Sequence, residues 1–307
     1  MRVAAIDLGT NTTRLIVADV TDGTVDAVLR RTTITRLGEG VDSRRRLLPL
    51  PIARVRNCLA DYRRELESRG AERALLVATS AVRDAENGEA FLGEIEWSYG
   101  FTTRLLSGEE EADLTLRGVG AVDNETIVID IGGGSTELIA ANGRVSTELG
   151  SVRLTERFLE SDPPDDGELE QLAGAIRSVL EEHDLSAMRG IGVAGTVTSL
   201  AALDLGLVEY DPDRVHGHRL GLDAVRAQLE RLAALPLAER REVPGLEPER
   251  APVIVAGAAI LLEAMRHLGL REIEVSEHDL LDGAALEAAA LPEPVEGDAP
   301  PGAYTCC

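Results

Sequence analysis

Residues 6–18 read IDLGTNTTRLIVA, and residues 129–141 read IDIGGGSTELIAA. Aligned without a gap, the two stretches agree at seven of thirteen positions: Ile6/Ile129, Asp7/Asp130, Gly9/Gly132, Thr13/Thr136, Leu15/Leu138, Ile16/Ile139 and Ala18/Ala141. Each is an apolar run ending in Asp, a turn containing Gly, and a second apolar run. That is the pattern of a β-hairpin whose tight loop carries small polar residues. A third run follows each hairpin, after Asp22-Gly23 in the first copy and after Asn142-Gly143 in the second. Both dipeptides suit hairpin turns.

The chain outside the hairpins repeats as well. In the first half, Pro51 to Arg69 reads as a helix stopped by Gly70, followed by a strand over Ala74–Ala78 and a helix from about Asp84. A strand over Thr102–Leu106 and a helix from Gly108 complete that half. In the second half the same order appears as a helix over Pro164–His183, a strand over Gly190–Val193 and a helix over Thr196–Leu205. Further helices, a strand over Glu272–Val275 and a last helix follow. The pattern predicts a duplicated α/β protein, each lobe a mixed five-stranded sheet with flanking helices. The boundaries read as 1–122 for the first lobe, 123–290 for the second and 291–307 for a disordered Pro-, Gly- and acid-rich tail. Two such lobes are expected to present their matching loops to each other across a ligand cleft.

Composition narrows the chemistry. The 307 residues are 44% apolar and 28% charged, as in folded globular proteins. Aromatics are 3%, so the core must be aliphatic. No apolar run approaches the ~20 residues of a membrane span, and the N-terminus shows no secretory cleavage pattern. The formal net charge is −23, which disfavours a nucleic-acid polymer as partner. No lysine occurs, so neither Schiff-base chemistry nor a P-loop lysine is available, and a phosphate site must use Arg, backbone N–H groups or a metal. Cys58, Cys306 and Cys307 form neither a disulfide framework nor a zinc spacing, which fits a cytoplasmic protein.

Three turns could hold an anion. Gly132-Gly133-Gly134-Ser135-Thr136 follows a strand, and its glycines let N–H groups converge while Ser and Thr add donors. Gly9-Thr10-Asn11-Thr12 is its counterpart, and Gly195-Thr196 opens a helix. Asp7 and Asp130 end strands beside two of these loops, with Glu137 at the start of the returning strand. Carboxylates beside phosphate loops point to a hard cation such as Mg²⁺. The plainer reading is that each Asp bonds its own turn. Arg83 follows a strand end, where open α/β sheets place ligand groups, and could clamp phosphate or pair with Asp84 or Glu86. Ser107 and Glu110 fit a capping box. Glu109 and Glu111 flank that acid about 200° apart on the helix, so only one can face inward as a general base. Arg44-Arg45-Arg46 reads as a solvated basic loop, His216-Gly217-His218 as a loop or lobe contact, and Glu277-His278-Asp279 carries no assignment.

The motifs IDLGTNTTRL, ATSAVRDAEN, SGEEEA, IDIGGGSTEL, AGTVTSLAAL and VHGH, in this order, resemble the exopolyphosphatase / guanosine pentaphosphate phosphohydrolase family. That family lies within the superfamily of acetate kinase, sugar kinases, heat-shock ATPases and actin. The resemblance covers about residues 1–290 and implies ribonuclease H-like, actin-like lobes. It implies release of orthophosphate from inorganic polyphosphate, or from guanosine pentaphosphate, with Mg²⁺. Carried over by motif, Glu111 is the base that activates water, Arg83 clamps phosphate, and Asp130 and Glu137 bind the metal. The loops at 9–12, 132–136 and 195–196 cradle the anion. Thr10 stands where the family has Ser, which keeps a hydroxyl. Longer members carry extra C-terminal helical domains, so short chains are the expected substrates here. A non-hydrolytic phosphate sensor is the rival reading, and a homodimer is one arrangement open to the chain.

Overall fold

The computed structural model describes residues 1–292. The first 120 residues form strands β1 (Arg2–Leu8), β2 (Thr12–Thr21), β3 (Thr24–Ile34), β4 (Arg73–Ala78) and β5 (Thr102–Leu105), with helices α1 (Val41–Arg44), α2 (Pro49–Ser68), α3 (Ser80–Arg83), α4 (Gly88–Tyr99) and α5 (Gly108–Val119). Then come β6 (Thr126–Ile131), β7 (Thr136–Ala140), β8 (Gly143–Thr147), α6 (Ser151–Phe158), α7 (Asp166–Leu180), β9 (Arg189–Val193), α8 (Ala194–Asp204), α9 (Pro212–Val215) and β10 (Arg219–Gly221). The described residues end with α10 (Leu222–Ala233), α11 (Leu237–Arg240), α12 (Ile254–His267), β11 (Glu272–Val275) and α13 (Leu280–Ala290).

The duplication is visible in strand order. One sheet runs β3-β2-β1-β4-β5 and the other β10-β11-β9-β6-β7-β8, so the hairpin strands and their parallel neighbours recur in the same sequence. The Asp22-Gly23 turn takes positive φ at both residues (49° and 78°), the twist that a two-residue hairpin requires. In the second copy, by contrast, Ala140 pairs with Gly143, so the loop is Ala141-Asn142 and Gly143 opens β8. Five strands were expected in each sheet. The second has a sixth, β10, because Arg219–Gly221 pairs antiparallel with β11 directly after the His216-Gly217-His218 loop.

The structure divides into a unit of Met1–Gly120 together with the described residues from Asp279 on, and a unit of Ala121–His278. The expected second lobe of 123–290 is therefore corrected at its end: α13 belongs with the first sheet. The reason is the first sheet's alternation. Ala4, Ile6 and Leu8 face a core with α2 and α4. Val3, Ala5, Ile16 and Ala18 face the other way, where Leu114 of α5 and Leu280, Leu281, Ala284, Ala285 and Ala288 of α13 cover them. Polar contacts add to this packing: Arg30 pairs with Asp282, Arg104 and Arg117 pair with Glu287, and Arg73 donates to the carbonyl of Ala289. The second unit has one apolar core, built on Ile127, Ile129, Ile131 and Leu138 with α7, α8, α10 and α12. The expected tail of 291–307 lies outside the described residues from 293 on. Among the described residues, no helix is long and apolar enough to cross a membrane.

Candidate active site

The first unit brings several of the predicted residues close together. Parallel strands β1 and β4 are neighbours, so their carboxyl ends deliver the loop after Leu8 and the segment after Ala78 side by side. Thr10 Oγ1 lies 2.8 Å from Ser80 Oγ, both buried. The loop is a closed turn in which the Gly9 amide donates to the Thr12 carbonyl at 2.9 Å. The Asn11 carbonyl accepts from Thr35 and Arg36, and that of Thr10 from Gly38. Gly38 packs closely there: a Cβ would fall 2.2 Å from Thr10 Cγ2, so any side chain would displace the Thr10 methyl.

Arg83 ends α3, and its Nη1 donates to the Leu106 carbonyl at 2.7 Å. The same nitrogen lies 3.4 Å from Glu111 Oε2, so the guanidinium pairs with Glu111 rather than with Asp84 or Glu86. The Ser107–Glu110 capping box forms as expected and sets the phase of α5. It leaves Glu109 outside and turns Glu111 inward, where it is 7% exposed. Base candidate and clamp candidate are thus in contact.

Asp7 sits on the face of β1 that α13 covers. Arg14, its direct cross-strand partner on β2, binds Asp7 Oδ2 at 2.7 Å and also pairs with Asp279, the N-cap of α13. Burial, against the pull of Arg14 and with Asp279 on the same guanidinium, pushes the Asp7 carboxyl above its usual range. Despite the cost of burial, the two carboxylates hold Arg14 firmly protonated. Asp7 Oδ1 and Asn11 Oδ1 are buried without a hydrogen-bond partner.

The second unit repeats the turn. The Gly132 amide donates to the Ser135 carbonyl at 3.0 Å, the same bond as in the first loop. Asp130 faces Glu137 across β6 and β7, as Asp7 faces Arg14, and both acids are buried. Ser146 donates to Glu137 Oε1 at 2.7 Å. Thr136 is spent structurally, since its hydroxyl donates to the Leu149 carbonyl. Beside this loop, parallel strand β9 leads into α8. Ala194, the first residue of α8, takes a positive φ of 66°, rare for a residue with a side chain. Gly195 lies against Arg250, where a Cβ would fall 2.1 Å from Nη1. Thr196 is buried against Gly257 of α12.

The donor set suits Mg²⁺ in part. Asp130 and Glu137 offer two carboxylates on one sheet face, and Asp7 offers an orphaned oxygen. No group of three potential ligands exists among the described residues. A pair of carboxylates fits an ion that keeps several waters and takes its other oxygens from phosphate. Arg14, Asp279, Arg153 and Arg250 are site neighbours that the sequence reading missed. A usable signal was present: Leu37-Gly38 and Leu149-Gly150 follow the third strand of each repeat, and each glycine packs against its loop.

The sequence pattern of the Ppx/GppA phosphatase family matches residues 16–290. The chain belongs to the Ppx/GppA phosphatase family. This family member is 39% identical over 318 residues to exopolyphosphatase 2 of Mycobacterium tuberculosis (strain CDC 1551 / Oshkosh), covering 94% of the chain and 98% of that protein. Among solved structures it is similar to an exopolyphosphatase-like protein, with a TM-score of 0.87 and 33% identity over 94% of the chain and 98% of that structure. The Ppx/GppA member from Aquifex aeolicus gives a TM-score of 0.79 and 30% identity over 94% and 98%. The α/β fold of these Ppx/GppA proteins is the one the sequence motifs pointed to.

Proposed function

We propose that this Ppx/GppA member is an exopolyphosphatase, a phosphoanhydride hydrolase that releases orthophosphate from the end of inorganic polyphosphate. The contact between buried Glu111 and Arg83 carries the reading, since a carboxylate beside a guanidinium past the carboxyl end of β4 suits a base and a phosphate clamp. Glu111 accepts the proton of the attacking water. Arg83 holds phosphoryl oxygens in the first unit, and the Gly9–Thr12 turn adds donors. In the second unit the glycine loop offers N–H groups of the kind that hold phosphate. Asp130 and Glu137 would hold Mg²⁺, with Asp7 as the further candidate in the first unit. When bound, the ion neutralises phosphate charge. A cytoplasmic setting fits a chain whose described cysteine, Cys58, is a free, buried thiol. A sensor without turnover is disfavoured by the presence of Glu111, Asp130 and Glu137 together.

The test is a phosphate-release assay on tripolyphosphate, long-chain polyphosphate and guanosine pentaphosphate, with Mg²⁺ and with excess chelator. Release from polyphosphate that stops on chelation is expected. Full activity in chelator would remove the metal from the mechanism. Binding of all three compounds with no release from any would return the protein to the sensor class. Release from guanosine pentaphosphate alone would reassign the substrate.

A further inference from the structure

We propose that Arg153 is a positioning residue for the anion cradle: its buried guanidinium holds the glycine loop in the orientation that turns the loop's amides toward phosphate. The inference rests on the exopolyphosphatase reading for its ligand, but its geometry lies wholly within the second unit.

Every carbonyl of the loop is engaged by the protein. Gly132 O accepts from the Ser151 amide at 3.0 Å, and Gly133 O from the Val152 and Arg153 amides at 2.8 and 3.2 Å. Gly134 O accepts from Arg153 Nε at 2.8 Å, and Ser135 O from the Gly132 amide. The N-terminal amides of α6, which have no partner inside their own helix, are thus satisfied by the loop. A peptide whose carbonyl is drawn one way points the following N–H the other way. Among the described residues, no acceptor meets the amides of Gly133, Gly134 or Ser135. Three donors are therefore presented on the side away from α6, and Gly132 and Gly133 are partly open to solvent.

The two repeats show why a guanidinium is needed. In the first, the counterpart carbonyl of Gly134 is that of Asn11, which takes two main-chain donors, Thr35 and Arg36. In the second, the chain turns into α6 directly after Gly150, and the amides at 151–153 are spent on Gly132 and Gly133. The buried Gly134 carbonyl is left to a side chain, and Arg153, 6% exposed, reaches it. A buried carbonyl without a donor would rotate toward one, and the peptide carrying the Ser135 amide would rotate with it. Gly150 completes the brace, since a Cβ there would fall 2.3 Å from Gly133 O.

The experiment pairs two readouts. In wild-type protein titrated with inorganic orthophosphate, amide resonances of Gly133, Gly134 and Ser135 should shift, and that of Gly132, already engaged, should shift least. Arg153→Gln should weaken orthophosphate binding and lower kcat/KM on tripolyphosphate, each by about 10- to 100-fold, as for groups that orient the ligands of a binding site. Arg153→Lys, which keeps a charged donor, should recover part of the loss. A merely structural role would lower the melting temperature and leave orthophosphate affinity of the folded fraction unchanged, and that result overturns the proposal. So does a wild-type loop whose amides stay still at saturating orthophosphate, a reading that stands even if Arg153→Gln fails to fold. If wild type binds orthophosphate through these amides yet releases none from polyphosphate, the hydrolase reading fails and the brace survives.

Discussion

A β-carbon on Gly150 has nowhere to go: it would meet Gly133 O, Gly134 C and Gly134 Cα at 2.3 Å, all main-chain atoms. Gly150→Ala must therefore push the glycine loop away from α6. We expect it to cost about 1–3 kcal/mol in stability by overpacking. Its kcat/KM on polyphosphate should fall about 10²-fold, the scale for a displacement near 1 Å at a reacting centre. A melting curve and steady-state kinetics check both. Glu111→Gln keeps the shape of the side chain and removes the base, so turnover should fall ~10²–10⁴-fold while tripolyphosphate still binds. Near wild-type turnover in that variant would move the base elsewhere. At this scale the turns at Gly9 and Gly132 were readable because they depend on residue type, and the inward turn of Glu111 because the capping box sets the phase of its helix. The sequence was silent on Arg153 and Arg14, because an arginine inside an amphipathic helix or a strand looks solvated until its long-range partner is known.

At the scale of elements, α5 carries Glu111 and is set by its cap. The Ser107 amide bonds Glu110, which holds that carboxyl below its usual range. A lowered value means that the folded state favours the ionised form. The cap's contribution is then complete at neutral pH and is lost as pH falls below the ordinary value of 4.5. Ser107→Ala should cost about 1 kcal/mol. The stability gap between wild type and Glu110→Ala should be widest near neutrality and narrow in acid, as read by chemical denaturation across pH. A gap that widens in acid would refute this role for the cap. The hairpins were legible as elements because alternation and turn residues are local signals. The sixth strand was not: Arg219-Leu220-Gly221 is too short to show a period, and only its pairing with Glu272–Glu274 makes it a strand.

For the molecule as a whole, the allegiance of α13 matters most. Its residues Leu280 and Leu281 are 3% exposed against the first sheet. Leu281→Ala should cost about 2–5 kcal/mol as a core truncation. The loss should appear as unfolding of the first unit, seen by hydrogen exchange in β1, β2 and β4 ahead of β6 and β9. Sequence order alone assigns this helix to the second lobe, because nothing local in LLDGAALEAAA names the sheet it covers. Charge complementarity between Arg14, Arg30 and Arg104 and the acids Asp279, Asp282 and Glu287 settles it, and such pairs join positions more than 180 residues apart.

That allegiance also sets a timetable. During synthesis the first 120 residues emerge with one face of their sheet covered by α5 alone, and α13, which completes that layer, follows the second unit in the chain. The middle unit, continuous in sequence, can close on itself before then. A released chain truncated after His278 should therefore hold a protease-resistant centre and a cleavable leading portion, and a chain that includes α13 should resist cleavage in both.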